Sequence, residues 1–135
     1  YRKIYALACA NFLIHKDGKT NLLHGDAKSS EAAEWIKEKG ITKVLMNPPY
    51  ERKNKCADIV LNVLNSVPVG TECAFIMPDK KMEKETKLKN ALKKHTLKMI
   101  VKLPENLFFG IGVTTSISFL RLVSRKTAEI LSDTI

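Results

Sequence analysis

The sequence predicts an α/β fold in which a mostly parallel sheet is closed by an antiparallel hairpin. Apolar runs of strand length alternate with segments of helical spacing along most of the chain. One such run, Ile41–Met46, stops at Asn47-Pro48-Pro49-Tyr50, where two successive prolines cannot continue a strand. Two further runs, Leu97–Leu103 and Thr114–Val123, follow each other without a helix between them, which predicts the closing hairpin.

Composition sets the outer limits of the prediction. A chain of 135 residues with 44% hydrophobic residues suits one domain, which we take as residues 1–135. It shows no membrane-spanning run and no signal sequence. Cys9, Cys56 and Cys73 are expected to be buried, reduced thiols of a cytoplasmic protein, and no zinc-ligand spacing occurs, so no metal site is expected. The net charge of +9 favours a polyanionic partner.

The first third of the chain predicts helix, strand, helix. A helical stripe including Tyr5 and Phe12 indicates a first helix that buries one face. Thr20–His24 is predicted as a short strand, followed by Asp26. From the residues alone, Asp26 is a helix N-cap, a solvated turn residue or a ligand contact. Ser30 is expected to open the second helix and Gly40 to end it.

The rest of the chain continues the alternation. A polar stretch after Tyr50 contains Arg52, Lys53 and Lys55, which either contact a phosphate backbone or form a solvated lid. A helix through Leu64 and a strand at Thr71–Met77 come next. Lys80–His95 is then predicted as one helix, whose outward lysines are either simply solvated or attract DNA.

The Asn-Pro-Pro-Tyr segment has the chemistry of a catalytic loop. Prolines hold the loop extended, at the sheet edge where α/β folds bind ligands. Asn47 Oδ1 and the Pro48 carbonyl are two acceptors that suit the two N–H bonds of an exocyclic amino group, and Tyr50 suits stacking on its ring. Accepting both N–H bonds aims the nitrogen lone pair at an electrophile, which is catalysis by orientation and electrostatics.

Five motifs in this α/β frame resemble those of a known family. They are Leu23-His24-Gly25-Asp26, Val44 to Tyr50, Phe75-Ile76-Met77-Pro78, Leu103 to Gly110 and Thr115-Ser116-Ile117. On these motifs the chain resembles the amino-group DNA methyltransferases, and most of all the modification (M) subunit of type I restriction–modification systems. The resemblance implies that Asp26 binds the adenine amino group of S-adenosylmethionine. It implies that Asn47 and Pro48 hold the N6 amino group of an adenine flipped out of double-stranded DNA, with Tyr50 stacked on it. Phe108 or Phe109 would line the same pocket.

The chain also departs from this family. The family's catalytic domain begins with a strand and a glycine-rich loop for the cofactor, followed by a second strand. The chain contains neither, so we expect a partial catalytic domain that lacks the first two strands. The Ile41–Met46 strand would then keep one neighbour and the Thr20–His24 strand would have none. We expect such a domain to be inactive alone and to self-associate. Specificity and restriction subunits are the partners that the resemblance implies.

Two other functions stay open at this point. One is an Asn-Pro-Pro-Tyr methyltransferase for a protein glutamine or an RNA base, against which the Leu103–Gly110 stretch argues. The other is a non-enzymatic basic module that binds DNA or a partner subunit.

Overall fold

A computed structural model describes residues 2–16, 21–50, 56–105, 107 and 114–123 of the chain. These residues form alternating helices and strands that build one layer of sheet with helices packed on it. Their order is α1 (Arg2–Ile14), α2 (Ser30–Glu38), β1 (Lys43–Met46), α3 (Cys56–Ser66), β2 (Glu72–Pro78), α4 (Asp79–Lys84), α5 (Thr86–Lys93), β3 (Thr96–Lys102) and β4 (Thr115–Arg121).

The four strands form a mixed sheet in the order β1-β2-β4-β3. β1 pairs in parallel with β2, and β4 pairs antiparallel with both β2 and β3. The predicted closing hairpin is therefore confirmed, and α3 supplies the crossover that a parallel pair requires. β1 is an edge of this sheet, so the loop that follows it lies beside the end of a single neighbouring strand, β2.

One face of the sheet carries the core. Cys73, Phe75 and Met77 are at most 2% exposed and alternate along β2, as expected for a strand with one face covered. They pack against Val60 of α3 and Leu88 of α5, which are 0% and 1% exposed. α2 contacts α3. This packing holds β1 and β2 in parallel register, with Met46 opposite Phe75.

Several sequence predictions were wrong in detail. Asn21–His24, the described part of the predicted strand, is not a strand. It pairs with none of the described strands, as expected from the missing family strands, and a segment without a partner gains no ladder hydrogen bonds. The predicted helix Lys80–His95 is broken at Glu85, whose extended backbone (φ −86°, ψ 98°) separates α4 from α5. α1 forms but has no buried residue, and Cys9 is exposed rather than buried.

Two other predictions were confirmed, one for Gly40 and one for two of the three cysteines. Gly40 follows α2 with a left-handed φ of 57°, the conformation that favours glycine after a helix. Cys56 and Cys73 are buried free thiols, and burial raises the pKa of Cys73 to about 11. No helix among the described residues is long and apolar enough to cross a membrane.

The ion pairs of Glu72, at the start of β2, should make the stability of the fold depend on pH. Its carboxylate binds the ammonium groups of Lys43 and Lys98, the latter at 2.6 Å, and these bonds lower the pKa of Glu72 from 4.5 to about 2. As the pH falls, the Glu72 carboxylate therefore takes up its proton at a higher pH in the unfolded chain than in the folded one. The stability from Glu72 is therefore present above pH 4.5 and lost as the pH falls towards 2.

We expect Glu72→Gln to flatten the dependence of the thermal midpoint on pH in this acid window. Circular dichroism melts from neutral pH down to about pH 2 would measure the effect. Glu34→Gln, which removes an exposed carboxylate from α2, controls for the change in net charge. A Glu72→Gln protein with the wild-type acid slope would contradict the assignment.

Candidate active site

The candidate active site is the Asn-Pro-Pro-Tyr loop, residues 47–50, which directly follows the end of β1. The strand ends at Met46, as the prolines predict. Pro48 is buried and Tyr50 is half-buried, whereas Asn47 and Pro49 are exposed. The loop is thus anchored at Pro48 and presents the Asn47 amide to solvent.

Asn47 and Tyr50 are joined within the loop. The Tyr50 hydroxyl lies 2.7 Å from Asn47 Oδ1. Because an amide oxygen can only accept, the hydroxyl is the donor. Burial, and to a smaller extent the nearby Cys56 thiol, raise the pKa of Tyr50 above its usual value of 10.0. The hydroxyl therefore stays protonated, and able to donate, throughout the neutral pH range.

This hydrogen bond gives the Tyr50 hydroxyl a role that is separate from that of the ring. It orients the Asn47 amide, whose oxygen has two lone pairs and can accept an N–H from a substrate amino group as well as the tyrosine O–H. Sequence reasoning assigned Tyr50 to stacking alone and missed the hydroxyl. The roles predicted for the Pro48 carbonyl and the Tyr50 ring stay predictions.

Asp26 lies in a tight turn before α2. Its Oδ1 accepts the backbone N–H of Lys28 at 2.9 Å, and its carbonyl accepts the N–H of Ser29 at 2.9 Å. The Lys28 N–H, followed by the Lys28 ammonium, lowers the pKa of Asp26, so an ionised carboxylate faces solvent. The helix N-cap is Ser29, whose Oγ accepts the N–H of Ala32. Asp26 is therefore a turn residue with an exposed acceptor, and the N-cap alternative was wrong.

The structure also shows a polar contact at the end of β2 that sequence reasoning passed over. Ser116 Oγ donates to Asp79 Oδ1 at 2.6 Å, and the Asp79 N–H donates to the Thr114 carbonyl at 3.1 Å. These bonds tie the carboxyl end of β2 to the beginning of β4. An acidic residue directly after a buried strand was the available signal in the sequence.

Five predicted site residues lie outside the described part of the chain. Two of them are the pocket aromatics and three are the cations after the catalytic loop; they are Phe108, Phe109, Arg52, Lys53 and Lys55. Their assignments stay predictions. Among the residues with described positions, no group of three or more His, Cys, Asp or Glu side chains is arranged to hold a metal ion.

A Rossmann-like α/β sheet with an Asn-Pro-Pro-Tyr loop at the carboxyl end of a parallel strand defines a class, the amino-group methyltransferases. Within that class the chain belongs to the N-6 DNA methylase family. The family's model matches residues 54–132, which is 79 of the 135 residues. This match confirms the resemblance on which the sequence interpretation relied.

A curated relative and two solved structures are similar to the chain. The chain is 29% identical over 128 residues to the type II restriction enzyme and methyltransferase RM.BcgI of Heyndrickxia coagulans, covering 86% of the chain and 20% of the relative. It matches the crystal structure of the type I restriction enzyme EcoKI M protein with a TM-score of 0.69 and 20% identity, over 88% of the chain and 29% of that protein.

The second structure is TrmN from Thermus thermophilus, with a TM-score of 0.64 and 19% identity over 91% of the chain and 34% of that protein. At these identities the structural matches establish the fold. The chain spans one fifth of the length of the curated relative and about a third or less of the two structures.

Proposed function

We propose that the chain is part of a DNA adenine-N6 methyltransferase of a type I restriction–modification system. It would act with S-adenosylmethionine on an adenine flipped out of double-stranded DNA. The observation that carries the proposal is the Asn47 amide, fixed by the Tyr50 hydroxyl at the end of β1, in a chain of the N-6 DNA methylase family. An amide held in this way is preorganised to accept an N–H of an amino group.

In this proposal the loop prepares the nucleophile. Asn47 Oδ1 and the Pro48 carbonyl accept the two N–H bonds of the adenine N6 group, which directs its lone pair away from the ring. Pro49 keeps the loop extended, and the Tyr50 ring stacks on the base. Phe108 and Phe109 would complete the pocket. Flipping removes the base from its stack, and these contacts compensate for part of that loss.

S-adenosylmethionine, when bound, supplies the electrophilic methyl group. The exposed, ionised carboxylate of Asp26 fits the acceptor that the cofactor's adenine amino group requires. Arg52, Lys53 and Lys55 would contact the DNA backbone, in keeping with the net charge of +9. The specificity and restriction subunits of the type I complex are the proposed protein partners.

The direct test uses the longer protein that contains this chain, assembled with its specificity subunit. Incubation with unmethylated plasmid and S-adenosylmethionine should yield N6-methyladenine, detected by mass spectrometry of digested DNA. A parallel reaction with a glutamine-containing release-factor peptide tests the second function. If the peptide is methylated and the plasmid is not, the substrate is protein and not DNA. Salt-dependent DNA binding without methylation of either would favour the non-enzymatic module.

For the 135-residue chain alone we expect self-association and no measurable methyl transfer or cofactor binding. The edge strand β1 exposes 84% of Leu45, and α1 exposes 65–75% of its large aliphatic side chains. Apolar edges of this kind recruit other strands, and the exposed face of α1 can pack between copies. The side chains of α1 concerned are Ile4, Leu7, Leu13 and Ile14.

Sedimentation velocity over a range of concentrations tests the association, and calorimetry tests the cofactor. Leu45→Lys should shift the chain towards monomer, since charge on an edge strand opposes pairing. Val69→Lys is the matched control because Val69 is 66% exposed in the turn before β2, away from that edge. A dilute, stable monomer that binds S-adenosylmethionine at micromolar concentration would contradict both expectations.

A further inference from the structure

The turn that carries Asp26 is held by a residue from a distant part of the sequence. Asn62, in the middle of α3, donates from Nδ2 to the Ala27 carbonyl at 2.9 Å and to the Ser29 carbonyl at 3.1 Å. These carbonyls lie on either side of Lys28, whose N–H binds the Asp26 carboxylate. A single side chain therefore fixes the Ala27–Lys28 peptide group, whose N–H forms the bond to Asp26, and the Ser29–Ser30 peptide group that follows it.

The chemistry of this contact requires an amide donor. Both partners are carbonyl oxygens, which only accept, so the NH2 group and not the oxygen of Asn62 must face the turn. Each of the two N–H bonds of the Asn62 amide thus has a carbonyl acceptor in the turn. Aspartate at this position would place an anionic oxygen against two carbonyls. Alanine would leave the Ala27 carbonyl to solvent and the Ser29 carbonyl with only the Ala33 N–H, at 3.2 Å.

Asn62 is itself firmly placed. The next two residues, Val63 and Leu64, are 6% and 4% exposed in the core cluster, and the Asn62 carbonyl accepts the Ser66 hydroxyl at 2.5 Å. α3 begins at Cys56, a few residues after Tyr50 of the catalytic loop. The helix that follows the catalytic loop in the sequence thus also anchors the Asp26 turn.

We propose that Asn62 is a positioning residue that holds the Asp26 turn in the geometry required to receive the adenine amino group of the cofactor. The part concerning the cofactor rests on the proposed function, whereas the part concerning the turn does not. Asn62 touches neither substrate nor cofactor in this proposal. It acts through the backbone of residues 26–29, and its loss should affect cofactor capture more than the methyl-transfer step.

The first experiment uses the 135-residue chain and needs no activity. Carbon-13 NMR titration of the Asp26 carboxyl, with hydrogen exchange of the Lys28 amide, should show the turn loosening in Asn62→Ala. The pKa of Asp26 should rise towards its ordinary value, and the Lys28 amide should exchange about five- to tenfold faster, as the loss of roughly one hydrogen bond implies. An unchanged carboxyl pKa and an unchanged exchange rate would overturn the proposal.

Two further variants make this result specific. Asn65→Ala removes an exposed asparagine from the same helix and should leave both readouts at wild-type values. Asn62→Ser keeps one donor and should fall between wild type and Asn62→Ala, even if the alanine variant is too unstable to measure. If Asn65→Ala changed the Asp26 pKa and the Lys28 exchange rate as much as Asn62→Ala does, Asn62 would not be the residue that holds the turn.

The second experiment uses the longer methyltransferase. Asn62→Ala should raise the KM for S-adenosylmethionine about five- to tenfold with kcat nearly unchanged, and Asn62→Ser should recover part of the loss. A loosened turn with an unaltered KM would overturn the cofactor part of the proposal. If the wild-type protein methylates nothing, the proposed function fails, and the NMR result still decides whether Asn62 holds the turn.

Discussion

Replacing Asn47 with alanine in the longer protein is expected to reduce methyl transfer about a hundredfold or more. The structure places the Asn47 amide at the end of β1 with its oxygen oriented by the Tyr50 hydroxyl, ready to accept an amino N–H. Loss of one preorganised polar contact at a reacting centre typically has an effect of this size. S-adenosylmethionine binding should persist, because Asn47 is proposed to contact the nucleophile and not the cofactor.

Single-turnover methylation and equilibrium binding of the cofactor measure the two halves of this expectation. Asn47 is exposed, so the substitution should leave the free energy of unfolding within about 0.5 kcal/mol of wild type. Asn65→Ala, an exposed asparagine on α3, is the matched control and should retain full activity. If Asn47→Ala kept about a third of wild-type turnover, the loss would be far smaller than the expected hundredfold. Asn47 would then not contact the reacting group.

The elements that local chemistry specifies were predictable from the sequence. Two prolines stop β1 at Met46 whatever surrounds it, and Gly40 ends the α2 region through its left-handed φ. The antiparallel β3–β4 pair follows from two apolar runs with no helix between them. These features depend on residues close together in the chain, so the sequence alone identifies them.

Features that depend on distant partners were predictable only in part. Asn21–His24 has strand-like composition, but a strand exists only when another strand supplies its hydrogen bonds. The apolar stripe of α1 predicts burial, yet burial requires a surface to pack against, and none of its described residues is buried. The apolar residues with helical spacing, Leu88, Ala91 and Leu92, all lie in α5, so the pattern carries no signal of the break at Glu85.

The candidate site likewise has features that the sequence predicts and features that depend on tertiary contacts. The identity of the loop follows from four consecutive residues, and its position follows from the strand before it. The Tyr50–Asn47 hydrogen bond and the Asn62 contacts with the Asp26 turn are tertiary. Asn62 lies 35 positions from Ala27, and no spacing rule connects an asparagine inside a helix with a turn that far away.

The two features of Tyr50, its ring and its hydroxyl, predict different results for two substitutions. Tyr50→Phe keeps a flat ring and should be mild, with about a two- to threefold loss in base capture from the hydrogen bond to Asn47, the low end for one hydrogen bond. Tyr50→Ala removes the stacking surface as well and should weaken capture of the flipped base by about 1–3 kcal/mol. The ring therefore provides most of the binding, and the hydroxyl mainly orients the amide.

Fluorescence of 2-aminopurine at the target position measures base capture without requiring methyl transfer. It also allows a double-mutant cycle between Tyr50→Phe and Asn47→Ala. If the hydroxyl acts only through Asn47, Tyr50→Phe should have no further effect once Asn47 is alanine. Equal damage from Tyr50→Phe and Tyr50→Ala would show that the hydroxyl, not the ring, is the main contribution of Tyr50, and the stacking role would have to be abandoned.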